Sequence, residues 1–287
     1  MRPGGDGPAP FEPPLHRDRR RRLRRPRGPH GRPARSREAQ ESAPHDARQP
    51  VLDPGCARGK GVELRTLFPG AAGRVPVKEP WPTAAAFLPE GSQTLEKLRE
   101  AATGCRGCDL WERGTQTVFG AGRPGARVLF VGEQPGNDED RKGLPFVGPA
   151  GRVLDQAMDE AGIDRSAAYV TNVVKHFKWV QKGKLRIHQK PSSREIGACL
   201  PWLQAEMELV RPEVLVCLGA TAAQALLGRD FRVTRQRGIL LEREGGPRYL
   251  ATVHPSSILR APDDDARREQ QELFVEDLRK VAAAIAR

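Results

Sequence analysis

The segment Gly132–Gly151, GEQPGNDEDRKGLPFVGPAG, decides the fold through what stands on either side of it. Before it runs an apolar stretch, Arg127-Val-Leu-Phe-Val131, and after it a helical pattern begins at about Val153. Between them lie prolines, five glycines and six charged side chains. A strand, a long polar loop and then a helix is the place where an α/β protein builds a site.

Working outward, three more short apolar runs follow, Ala168–Val173, Val214–Leu218 and Tyr249–Val253. Helical patterns separate them, over Val153–Ala161, Arg194–Val210 and Thr221–Leu227, with a last helix from about Asp265 to Ala286. Strands alternating with helices predict a three-layer α/β/α fold around a central, mainly parallel sheet. Such sheets carry their sites at the carboxyl ends of the strands. Glu133–Gly136, Asn172, Gly219 and His254-Pro255-Ser256 each follow or end one of the four strands, so they converge on one edge. Upstream, Ser92 is expected to cap a helix that runs to about Ala102 and delivers the chain to Cys105.

Cys105-Arg-Gly-Cys108 is a two-cysteine knuckle, with Cys199 and Cys217 further on. A CxxC pair alone fits redox chemistry, and four thiolates fit zinc. One knuckle plus two widely separated single cysteines suits an iron–sulfur cubane better, while Cys199 and Cys217 also read as ordinary buried thiols of a helix and a strand. Phe146 reads as core or as a platform for a base. Asn172 makes a turn or offers a donor and an acceptor to one base edge. The stretch Lys175–Ser193 interleaves Lys175, His176, Lys178, Lys182, Lys184, Arg186, His188 and Lys190 with Phe177 and Trp179, the composition of a surface for nucleic-acid phosphates.

In combination these motifs resemble the family 4 uracil-DNA glycosylases, and more closely their UdgX branch, over roughly Leu95 to Arg287. The resemblance implies a uracil-DNA glycosylase-like fold and a [4Fe–4S] cluster on Cys105, Cys108, Cys199 and Cys217. It implies that Gln134, Phe146 and Asn172 hold uracil, that Glu133 orients or polarises, and that His254 stabilises the leaving base. Ser256 offers backbone and hydroxyl groups to a phosphate, and Asp140, which also anchors the loop, and Arg186 are expected with it among the residues that bind the substrate. Lys184-Leu-Arg-Ile-His188 matches a KRRIH-type motif whose final histidine is the nucleophile, which makes His188 the covalent residue and the enzyme one that turns over once. Leu185 replaces a basic residue of that motif, and Asn137 stands where an acidic residue is common. The alternatives are a conventional family 4 enzyme that completes hydrolysis with water, and a non-catalytic iron–sulfur module that binds nucleic acid.

Residues 1–50 hold 13 Arg and no Lys against 6 acidic residues, a surplus of 7 within the chain's formal charge of +12. With ten prolines and few apolar residues, this segment and the Gly-, Pro- and Ala-rich stretch behind it read as a disordered tail and linker over 1–80, ahead of a domain over 92–287. An arginine-rich tail suits non-specific contact with DNA. No apolar run approaches the ~18 residues that span a bilayer. The expectation is a monomeric, cytoplasmic, bacterial protein of the nucleoid that partners uracil-containing DNA and no membrane. Cysteines in that compartment favour metal or free thiol over disulfide, and Cys56 matches no ligand position.

Overall fold

The computed structural model describes residues 82–286 apart from Ser92. The expected tail and linker over 1–80, and Cys56 with them, lie outside the described residues. In chain order the elements are α1 (Leu95–Ala102), β1 (Val128–Gly132), α2 (Asn137–Lys142), α3 (Pro149–Glu160), β2 (Ala168–Asn172), β3 (Trp179–Lys182), β4 (Leu185–His188), α4 (Ser193–Val210), β5 (Val214–Leu218), α5 (Ala220–Leu227), α6 (Val233–Gln236), β6 (Leu240–Leu241), β7 (Arg248–Thr252), α7 (Pro255–Ile258) and α8 (Asp264–Ile285).

Five strands form one sheet in the order β2-β1-β5-β7-β6, parallel throughout except for the antiparallel edge strand β6. The four long strands are buried along nearly their whole length, which is why they read in the sequence as unbroken apolar runs. Successive residues serve opposite layers. Leu129, Val131, Leu215 and Ala251 join a core with α1, α4 and α5, while Val128, Phe130, Val214 and Leu250 join one with α3 and α8. The three-layer α/β/α architecture expected from the sequence is the one observed.

The cap of α1 is Thr94, whose hydroxyl accepts from the Lys97 N–H at 3.3 Å, so the helix starts later than a Ser92 cap would place it. A 3₁₀ turn over Ala84–Phe87 packs against α4, with Ala84 fully buried, so the packed chain begins before residue 92. Several elements were not legible in advance, α6, β6 and α7 among them, and two further ones shape the site. The polar segment after β1 contains α2, and the basic stretch folds back on itself as the antiparallel ribbon β3–β4, pairing Trp179 with His188 and Gln181 with Arg186.

From β1 the chain crosses to β2 on one side, and later enters β5 on the other. The connections therefore diverge at the carboxyl ends of β1 and β5, opening the crevice in which ligands of such sheets bind.

Candidate active site

A cavity of about 820 Å³ occupies that crevice, within the range of a ligand pocket. Its lining includes Glu133, Gln134, Phe146, Asn172, His188, His254 and Ser256, drawn from three strand ends, the ribbon and the loop before α3. Seven of the nine catalytic and substrate-binding residues expected from the sequence thus surround one space.

Phe146 forms part of its wall through an unusual backbone. The residue has a left-handed φ of +56°, a conformation that costs a non-glycine residue on the order of 1 kcal/mol or more. A Cβ at Gly151 would fall 1.8 Å from the Phe146 carbonyl oxygen, and one at Gly132 would fall 2.8 Å from the Phe146 ring. Two glycines therefore let the ring reach its place, stacked beside His254 with centroids 6.2 Å apart and planes 29° apart. Glu139 holds the loop that carries it. Its carboxylate accepts from the Gly136 N–H at 3.1 Å and the Gly148 N–H at 2.7 Å, joining the starts of α2 and α3.

Asn172 ends β2, and its side-chain amide has no hydrogen-bond partner among the described residues. It is 3 % exposed and lines the cavity, so its donor and its acceptor are left to meet whatever enters there, where a planar polar edge is worth most.

The state of His254 follows from its neighbours. The Ser256 N–H donates to Nδ1 at 3.1 Å, and the Ser256 hydroxyl lies 2.8 Å from the same nitrogen. Nδ1 is thus the acceptor, and Nε2 carries the proton. Burial, the Arg260 charge and His188 push this imidazole down to about 4, so it is a neutral donor at physiological pH. Gly219 makes room for it, since a Cβ there would lie 2.9 Å from the His254 Cβ.

His188 ends β4 with its side chain 49 % exposed, open to a substrate yet anchored. Its Nε2 lies 3.4 Å from Glu133 Oε1, and its ring tilts against Phe177 with centroids 6.1 Å apart. The other carboxylate oxygen of Glu133 accepts a hydrogen bond from Thr221, at the start of α5. Burial lowers the His188 pKa, Glu133 opposes the shift and Arg260 adds to it. The ring is therefore neutral at pH 7, with a lone pair available.

The ribbon that presents His188 is tied down at both ends. At its base Gln134 donates from Nε2 to the Lys178 and Gln189 carbonyls at 3.2 and 3.0 Å and accepts from the Lys178 N–H at 3.1 Å. The Gln134 side chain is thus committed to holding the ribbon. Nearer the tip, Arg186 donates to Asp140 Oδ2 at 2.6 Å, to Thr115 Oγ1 at 3.1 Å and to Asn137 Oδ1 at 2.8 Å. Its guanidinium also lies 5.4 and 5.3 Å from the centroids of the Phe177 and Trp179 rings.

Two expected substrate-binding residues are corrected here. Asp140 is fully buried and the Arg186 side chain is partly buried, neither lines the cavity, and they lock the ribbon to α2. Asn137, neutral where an acid was expected, serves Arg186 as an acceptor. Thr221, Arg260 and Lys190 are cavity residues that sequence reasoning missed or did not place there. The strand-end rule, carried two residues past Gly219, would have found Thr221.

The four cysteines do not form one group. Cys105, Cys108 and Cys199 are buried and influence one another, with burial and the neighbouring thiols raising Cys199 to about 12. The Trp202 Nε1–H and the Lys175 N–H point at the sulfurs of Cys105 and Cys199, at 3.3 and 3.2 Å. Cys217 stands apart in the middle of β5, paired in register with Val131 and Ala251, and burial alone raises its pKa. It is a core residue, a correction to its expected place among the ligands.

His176 follows Lys175 and lines a small polar cavity with Cys105. The Thr117 hydroxyl donates to the Ala102 carbonyl at 2.8 Å and so accepts from His176 Nε2 at 3.0 Å, leaving Nδ1 unprotonated. Among the described residues no three His, Cys, Asp or Glu side chains stand close enough to grip a single metal ion.

Residues 119–279 match the model of the uracil DNA glycosylase superfamily. The chain is 35 % identical over 194 residues to the type-4 uracil-DNA glycosylase of Thermotoga maritima, covering 67 % of this chain and 95 % of that protein. It is 33 % identical over 196 residues to the type-4 enzyme of Sulfurisphaera tokodaii, covering 66 % and 83 %. With the type-5 uracil-DNA glycosylase of Thermus thermophilus the identity is 31 % over 208 residues, covering 68 % and 91 %.

Proposed function

Because this chain belongs to the uracil DNA glycosylase superfamily and is a DNA glycosylase, we propose that it excises uracil from DNA and then remains bonded to the deoxyribose C1′ through His188. The observation that carries this reading is a neutral, half-exposed imidazole 3.4 Å from Glu133, at a cavity whose other walls suit a uracil ring.

In this mechanism the nucleotide leaves the duplex and its base enters the cavity beside Phe146. Asn172 meets the polar edge of the base with its free amide. As the bond from C1′ to N1 breaks, its electron pair passes to uracil, and negative charge grows at O2. The Nε2–H of His254 donates there, a preorganised dipole aimed at developing charge. A ring nitrogen of His188 then shares its lone pair with C1′, and Glu133 stabilises the imidazolium that results. No water is needed to complete the reaction.

A second reading, in which water attacks C1′ in place of His188, is favoured by the likeness to proteins named type-4 uracil-DNA glycosylases. Stoichiometry separates the two. Uracil release from excess substrate is expected to stop at one equivalent per protein molecule, whereas sustained turnover belongs to the hydrolytic reading.

The pH dependence has a definite sign. Protonating His188 removes the lone pair, and burial holds its pKa below the ordinary 6.5, so adduct formation is expected to reach half its maximum below pH 6.5, to level off on the alkaline side and to fall on the acid side. Rates of adduct formation measured from pH 4.5 to 8 check this. A half-maximal rate at or above pH 6.5 contradicts a nucleophile held neutral by its surroundings.

We further assign an iron–sulfur cluster to Cys105, Cys108 and Cys199, with the Nδ1 of His176 as its fourth ligand. Three buried thiols with N–H donors aimed at two of their sulfurs suit a cluster, which spreads its ligands more widely than a single ion does. When bound, the cluster pins the segment before β1 to α4 and supplies no step of the reaction. Iron content and visible absorbance are expected to be lost in Cys105→Ser and Cys199→Ser and kept in Cys217→Ala. Iron loss in the last variant, with the fold intact, restores Cys217 as a ligand.

A further inference from the structure

Behind Asn172 lies a buried ionic network that the mechanism leaves unused. Lys175 and Glu206 are both fully buried, and every donor of the ammonium is spent: on Glu206 Oε2 at 2.5 Å, on Thr171 Oγ1 at 2.6 Å and on the carbonyl of Asn172 at 2.8 Å. Glu206 in turn accepts from the Tyr169 hydroxyl, the Thr171 hydroxyl and the Gly120 N–H, each at 3.0 Å. The Lys175 N–H reaches Cys199 Sγ, so one residue touches both the end of β2 and a buried thiol.

As a source of stability such a pair is a poor choice, since apolar side chains of similar volume usually serve as well or better. What the ammonium does that a methyl group cannot do is grip a carbonyl. The carbonyl it grips belongs to the residue whose side chain faces the cavity without a partner.

We propose that Lys175 is a positioning residue for base recognition. Held by Glu206, its ammonium fixes the backbone of Asn172 so that the side-chain amide meets the pyrimidine edge in one orientation. The inference rests on the reading of Asn172 as the residue that meets uracil. Misplacing such a group by about 1 Å costs up to about 100-fold in rate.

The test uses the full chain, with Lys175→Met/Glu206→Leu compared with wild type and with Asn172→Ala. The double variant removes both charges together and avoids stranding one of them. Iron content, Tm and single-turnover uracil release across a range of protein concentrations are measured for each. The double variant is expected to keep its iron while releasing uracil about 10- to 100-fold more slowly at saturating protein, with a Tm lowered by the stranded Tyr169, Thr171 and Gly120 donors but still above the assay temperature. Its half-saturating concentration should be unchanged, a split that mere loosening of the fold does not produce. A wild-type rate constant in the iron-loaded double variant overturns the proposal.

Should the double variant fail to fold, Thr171→Val keeps the volume and the ion pair but removes one acceptor of the ammonium. About a tenfold slower release at full iron content supports the proposal, and an unchanged rate overturns it. Asn172→Ala separates the two levels. A wild-type rate there refutes the reading of Asn172 itself, whereas a slow Asn172→Ala beside a fast double variant refutes only the role of Lys175.

Discussion

In the His188→Ser variant, the protein–DNA band that survives heat and detergent is expected to disappear while uracil is still released. A serine hydroxyl is too weak a nucleophile at neutral pH to replace imidazole without an activating base. The shorter side chain leaves room for water beside C1′, and the residues around the base, Phe146, Asn172 and His254, are untouched. The product is then an abasic site that hot alkali cleaves. Loss of uracil release together with the adduct would show that His188 is also required to break the bond, and an undiminished adduct would exclude it as the nucleophile.

His254→Ala is expected to slow uracil release by about 10²- to 10³-fold, equivalent to about 2.7–4 kcal/mol of transition-state stabilisation, as loss of one oxyanion donor does elsewhere. The estimate follows from the fixed tautomer. With Nδ1 occupied by Ser256, the Nε2–H is the donor that the ring offers the cavity, and a methyl group leaves nothing in its place. Adduct formation should slow by the same factor, because it follows bond cleavage. Single-turnover assays of both products check this, and a loss below about fivefold contradicts a direct role for the ring at the leaving base.

The sheet was legible because its parallel strands are buried on both faces, so their apolar runs are unbroken and their ends mark the site. The ribbon β3–β4 was not, since its exposed strands carry Lys182, Leu185 and Ile187 with no core-facing alternation. Nor was α2, whose sequence NDEDRK has no apolar face and which is fixed by Glu139 and by the left-handed turn at Gly143. Among the site residues, Asn172 and His254 were placed at the cavity by the strand-end rule together with their motifs, and His188 and Phe146 by motif alone. Charge near a motif did not reveal whether a side chain meets a ligand or another side chain, so Asp140 and Arg186 were assigned to the substrate when they hold each other. Cysteine spacing likewise carries no depth, which is how Cys217, in the middle of a strand, was counted with three thiols it does not join.

The most direct test of a covalent outcome is a denaturing gel of the wild-type protein mixed with a uracil-containing oligonucleotide, run after heating in detergent. The expected result is a slower band containing both protein and DNA, formed with the uracil strand and absent with a thymine control. Accumulation of alkali-labile abasic sites with no such band would contradict attack by His188 and leave the protein a hydrolytic glycosylase.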